Sequence, residues 1–143
     1  MNRDTVELLS ECNAGVKMAV ASIDDVLENV QNDRLRNTLI ECRREHQELG
    51  SRTHALLNAA DEPGRGASPV ARGMSWLKTN WKLTMQPDDH TVADLIVDGC
   101  NMGVKSLTRY QNQYAAAQSE AKQIADSLIR SEERLAADLK KYL

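Results

Sequence analysis

Cys42 and His46 stand four residues apart in the stretch "ECRREHQELG", and on a helix that spacing places both side chains on one face, a turn apart. A thiolate and an imidazole so arranged could hold copper or zinc, with Met18 or Met102 as further soft ligands. A closed zinc site wants four ligands, and this pair supplies two. The other two cysteines each lead a copy of one phrase, "CNAGVK" at 12–17 and "CNMGVK" at 100–105. That repetition could mark two redox or metal half-sites, or an old duplication kept for packing. No nucleophile–base pair, phosphate loop or nucleotide fingerprint accompanies these residues, so the expectation leans away from an enzyme, and no cofactor is expected.

The elements that must position these groups are helical. From Leu9 the apolar letters run Leu9, Asn13, Val16, Val20, Ile23, Leu27, Val30, an unbroken 4-3 seam. Beside it runs a line of mostly smaller residues: Leu8, Cys12, Gly15, Ala19, Ser22, Val26. Asp4 with Glu7 reads as a capping box, opening a helix over 4–30. Asn32 caps a second helix, 33–60, with the seam Leu35, Leu39, Cys42, His46, Leu49, Thr53, Leu56. The stretch "DEPGRGASP" breaks the pattern, and Ser68–Pro69 opens a short helix over 70–85. A third long helix, 88–116, is capped by Asp88 or Thr91. A fourth, 119–142, is capped by Ser119 and carries Ile124, Leu128, Leu135, Leu139 and Tyr142.

A chain of 143 residues is one domain, 1–143, and buries a core without staples. Phe is absent, so that core is aliphatic. The net charge of −3 does not call for nucleic acid or an anionic membrane as partner. No apolar run approaches the ~20 residues that span a bilayer. The polar N-terminus and the odd number of cysteines, 3, predict a cytoplasmic protein with reduced thiols. The repeat predicts two duplicated helical hairpins forming an all-α four-helix bundle. The long connection over 61–87 lets helices 2 and 3 run parallel, the one-crossover topology of ferritin-like bundles.

The segments "ECNAGVKMAVASIDDVL", "ECRREHQELG", "GMSWLKTNWKL", "DGCNMGVKSLTRYQNQY" and "EERLAADLKKYL" together resemble a bacterial family described only as a domain of unknown function and grouped with ferritin-like bundles. The resemblance covers nearly the whole chain and implies a fold and a cytoplasmic bacterial setting, with no reaction to carry over. Ferritin-like di-iron chemistry needs Glu-x-x-His on two helices. Arg43, Ser51 and Pro87 precede His46, His54 and His90 by three, so the motif does not occur. Glu41, Glu45 and Glu48 fall off the seam, on the solvent face.

Packing accounts for the remaining candidates. Cys42 is expected as a small buried apolar group, and His46 as a core histidine satisfied by a polar neighbour such as Asn13 or Asn101. Cys12 and Cys100 should lie roughly 12–15 Å apart along the bundle, too far for a disulfide. Gly15 and Gly103 are expected to let helices 1 and 3 approach closely, with Asn13 and Asn101 fixing register. On the crossover helix, Met74, Trp76 and Leu77 are candidates for an exposed patch. The preferred function is a non-catalytic bundle working through self-association, as a homo-oligomer, or through a protein partner; the alternative is a soft-metal or redox bundle built on Cys42 and His46.

Overall fold

Four long helices account for most of the residues described in a computed structural model of the chain, 1–60 and 88–143. They are α1 (Arg3–Leu27), α2 (Asp33–Ala59), α3 (Asp89–Gln113) and α4 (Ser119–Leu139), the last continued by a 3-10 turn at Lys140–Tyr142. No strand occurs among the described residues. The helix expected over 70–85, with Met74, Trp76 and Leu77, lies outside the described residues. Among the described residues no helix is long and apolar enough to cross a membrane.

Three of the four long helices start where a nearby side chain satisfies a free backbone N–H. The Asn32 side chain accepts from Leu35 N at 3.0 Å and the Asp88 side chain from Thr91 N at 2.9 Å, as their positions predict. The other two starts differ from expectation. The cap of α1 is Asn2, which accepts from Thr5 N, while Asp4 accepts instead from Ala116 N in the distant α3–α4 turn. The cap position of α4 is Gln118 rather than Ser119, with no side-chain cap bond. Gln118 N donates to Thr5 Oγ1 at 2.8 Å, so this start is tied to α1.

Those bonds also fix the direction of the helices. Asn2 Nδ2 donates to Ala116 O, so the start of α1 lies at the α3–α4 turn. At the opposite end the Asp89 carboxylate accepts from Gln31 N and Asn32 N, placing the start of α3 at the α1–α2 turn. Helices α1 and α3 are therefore antiparallel, and α2 and α3 run the same way. Packing joins α1 to α2, α3 to α4, α2 to α4 and α1 to α3, with α1 also touching α4 across the middle. The seams pack as two clusters. One, towards the start of α1, gathers Leu8, Leu9, Cys12, Val16, Leu57, Leu107, Ile124 and Leu128. The other gathers Ile23, Val26, Leu35, Leu39, Cys42, Ile96, Cys100, Leu135 and Leu139.

The repeated phrase behaves differently from its expected packing role. A Cβ built on Gly15 meets nothing within 4 Å, so this glycine brings no helix close. A Cβ on Gly103 would strike the Glu132 carboxylate of α4, its Cδ at 2.7 Å, so that notch admits a side chain and not α1. Asn13 is buried but Asn101 is exposed, and the two do not form a matched pair of core amides. The glycine with a tight neighbour on the facing hairpin helix is Gly50 of α2, where a Cβ would lie 2.8 Å from Val16 Cγ1.

Candidate functional site

Cys42, His46, Cys100 and Glu132 reach the interior from three helices because each occupies a seam position. They line one cavity of about 40 Å³, enough for a few water-sized atoms. Its remaining wall is apolar: Met18, Ala19 and Ile23 from α1, Leu95 and Ile96 from α3, and Leu135 from α4. Ser22, Gly99 and Met102 complete it, and Met102 is 43% exposed, so the cavity opens between α1 and α3. The small residues Ala19, Ser22 and Gly99 thus leave a slot where close helix packing was expected.

His46 is 1% exposed and held on both sides. Its Nδ1 lies 3.0 Å from the Cys42 carbonyl oxygen. A carbonyl only accepts, so Nδ1 carries the proton and donates to it. That bond prevents Nδ1 from acting as a base towards the Cys42 thiol, although Sγ is 3.5 Å away. Cys42 instead faces Ser131 Oγ at 3.7 Å. Ser131 donates to Glu45 Oε2 at 3.1 Å, and Arg134 donates to Glu45 in turn. This chain pins α2 to α4 from core to surface. The expected polar partners of His46, Asn13 and Asn101, are replaced by the Cys42 carbonyl, Ser131 and Glu132. Of the three glutamates placed on the solvent face, Glu41 and Glu48 are exposed and paired with Arg44, whereas Glu45 is half-buried.

The other ring nitrogen, Nε2, faces Glu132 Oε1 at 3.7 Å, an ion-pair distance too long for a hydrogen bond. Glu132 is 8% exposed, and its Oε2 is buried without a hydrogen-bond partner. Burial pushes the Glu132 carboxyl above its ordinary range, and His46 only partly pulls it back. For His46, burial works to lower the pKa, but Cys42 and Glu132 outweigh it and raise it to about 10. Burial also raises both remaining thiols, Cys12 to about 12 and Cys100 further, the latter with help from the charge of Glu132. All three cysteines are buried and free, with Cys12 and Cys100 in different core clusters.

Sequence reasoning singled out Cys42 and His46 and passed over Glu132. Read as a seam, α4 ran Ile124, Leu128, Leu135, Leu139, which skips two turns between Leu128 and Leu135. A buried helix face has no such gap, and Ser131 and Glu132 fill it. Among the described residues no group of three or more His, Cys, Asp or Glu side chains stands gathered to hold a metal ion.

No protein-family model matches the chain, and no curated protein matches it significantly. Among solved structures, its fold is similar to that of a DUF305 fragment from Deinococcus radiodurans. That crystal structure superposes with a TM-score of 0.76 at 14% identity, over 98% of this chain and 95% of the fragment. The likeness is one of fold: a four-helix bundle that also occurs in a bacterial domain of unknown function.

Proposed function

We propose that this chain is a non-catalytic, ferritin-like bundle of two duplicated hairpins that acts by binding, in the cytoplasm of a bacterium, and that its core cavity is the binding element. The observation that carries the reading is the cavity itself, an apolar slot with a few convergent polar groups at its inner end. The hydrogen bonding of His46 supports binding over turnover, since the nitrogen nearest the thiol is committed as a donor. Duplication draws support from the exchange of clamps. The start of α1 holds the turn of the second hairpin, and the start of α3 holds the turn of the first.

Native mass spectrometry of the chain purified under mild conditions without chelators tests this. Gly99 lines the slot with open space around it, so Gly99→Leu should fill the mouth. A bound mass on the parent that disappears in Gly99→Leu is the expected result. A parent that carries no bound mass and matches the variant in thermal stability would overturn the cavity reading. Action through self-association or a protein partner would show in the same spectra as an oligomer or complex that Gly99→Leu leaves intact. Exposed large apolar residues in the described part are Met1, Ile40, Met102 and Leu143, which are too scattered in sequence to form a helical docking stripe.

A further inference from the structure

Glu132 reaches the cavity wall, yet one of its oxygens is turned out of the cavity. Oε2 is buried without a hydrogen-bond partner and sits where a Cβ of Gly103 would stand. Gly103 is not among the described residues that line the cavity. In that notch Oε2 meets the Gly103 Cα–H, a weak donor. The other oxygen, Oε1, faces His46 Nε2, and the opposite ring nitrogen donates to the Cys42 carbonyl. The imidazole and the carboxylate therefore line the slot while addressing one another. Ser22, half-buried at the mouth, brings a hydroxyl. No other lining side chain among the described residues carries nitrogen or oxygen.

We infer that Gly103 sets the selectivity of the slot: its notch draws the Glu132 carboxylate aside, and the space left takes a small apolar group that bears neither charge nor hydrogen-bond donor. The inference rests on the cavity being the binding element, and it names the ligand class. Size sets the first limit. An apolar cavity of about 150 Å³ admits benzene. One of about 40 Å³ holds roughly two carbons. Chemistry sets the second limit. An ammonium group would add a charge beside an imidazolium and a carboxylate that already offset one another. A hydroxyl would give up its water for a wall with no free partner at the inner end. Ile23, Leu95 and Ile96 instead offer dispersion contact, and the flexible thioethers of Met18 and Met102 adapt to the guest. The slot opens beside Met102, so the group is either a free molecule or the tip of a longer aliphatic chain.

Ethane, methanol and methylammonium are nearly the same shape and differ in polarity. Methyl NMR of the full-length reduced chain reads their binding at Met18, Ile23 and Met102. Ethane should shift these methyls saturably, and methanol and methylammonium should bind at least ~10-fold more weakly. Gly103→Ala puts a methyl in the notch and turns the carboxylate towards the slot. Ethane should then bind ~10-fold more weakly or worse, although Gly103 does not line the slot. Competition with 1-octanol separates the two sources: displacement of ethane assigns a chain tip, indifference a free small molecule, and either upholds the apolar class. Methanol or methylammonium binding the parent as tightly as ethane would overturn the inference, and needs no variant to fold. Ethane binding unchanged in a folded Gly103→Ala would overturn the role of Gly103. A parent that ignores ethane yet carries a mass lost in Gly99→Leu would overturn the apolar class and leave the cavity reading standing.

Discussion

Gly15 and Gly103 hold the same place in two copies of one phrase, yet they stand in opposite surroundings. Around Gly15 there is open space, whereas Gly103 is filled by a carboxylate from the neighbouring helix. The difference follows from what faces each copy. The first lies in the cluster of Leu8, Leu9, Leu57 and Leu128, and the second beside the only buried glutamate among the described residues. A repeated sequence therefore need not repeat a role: the letters are shared, but the opposing helix decides what a missing Cβ is for.

The comparison breaks most directly at the larger substitution. Gly103→Leu has to expel Glu132 and overpack the α3–α4 contact, and a loss of about 3 kcal/mol is expected in a denaturant titration. Gly15→Leu, at a site with room, should stay within about 0.5 kcal/mol of the parent. Equal losses would show that both glycines serve close packing after all.

The polar end of the core should also respond to pH where the apolar end does not. His46 is raised from 6.5 to about 10, so its contribution to stability is complete below pH 6.5 and is lost as pH climbs through about 10. Glu132 is raised as well, so its contribution likewise declines as pH rises. The groups facing the ring are Cys42 on its own helix and Glu132 on α4, with Glu45 behind Ser131. Stability should fall between pH 6.5 and 10, and His46→Gln should flatten that slope. An identical slope in the variant would remove His46 from the account.

Alanine sharpens the same contrast at smaller amplitude. Gly15→Ala should gain up to ~1 kcal/mol from helix propensity alone. Gly103→Ala should lose about 1 kcal/mol, because the carboxylate must leave its place beside His46 and the propensity gain only partly offsets this. The helix starts offer the smallest test. Asn32→Ala should cost ~1 kcal/mol, whereas Ser119→Ala, at the matching start in the second hairpin, should be nearly neutral.

What could be read from the sequence was what depends on neighbours along the chain. The 4-3 seams marked α1 and α2 as helices, and Asn32 and Asp88 were legible as caps because each bonds a residue three positions on. Gln118 was not, since that start is tied to Thr5 more than a hundred residues away; Asn2 bonds Thr5 N three positions on, but Asp4 with Glu7 offered a competing start in the sequence. At the site, Cys42 and His46 were legible as inward residues. Their relation was not, because the ring's choice between sulfur and carbonyl is a matter of ångströms. Glu132 left a trace only as a gap in a seam. Gly50, which makes room for the Val16 side chain of α1, left none, because nothing local distinguishes it from Gly15.

The carboxylate of Asp89 has a consequence for how the molecule opens. It takes both backbone N–H groups of Gln31 and Asn32, two residues that are otherwise exposed in a turn and have no ladder of their own. Amides in such a turn would exchange with solvent at nearly the unprotected rate. Here their protection is lent by the other hairpin, so they register the parting of the two hairpins even while each stays helical. In a hydrogen-exchange experiment Gln31 and Asn32 become reporters of docking, and Asp89→Ala should silence them without unwinding α1 or α2.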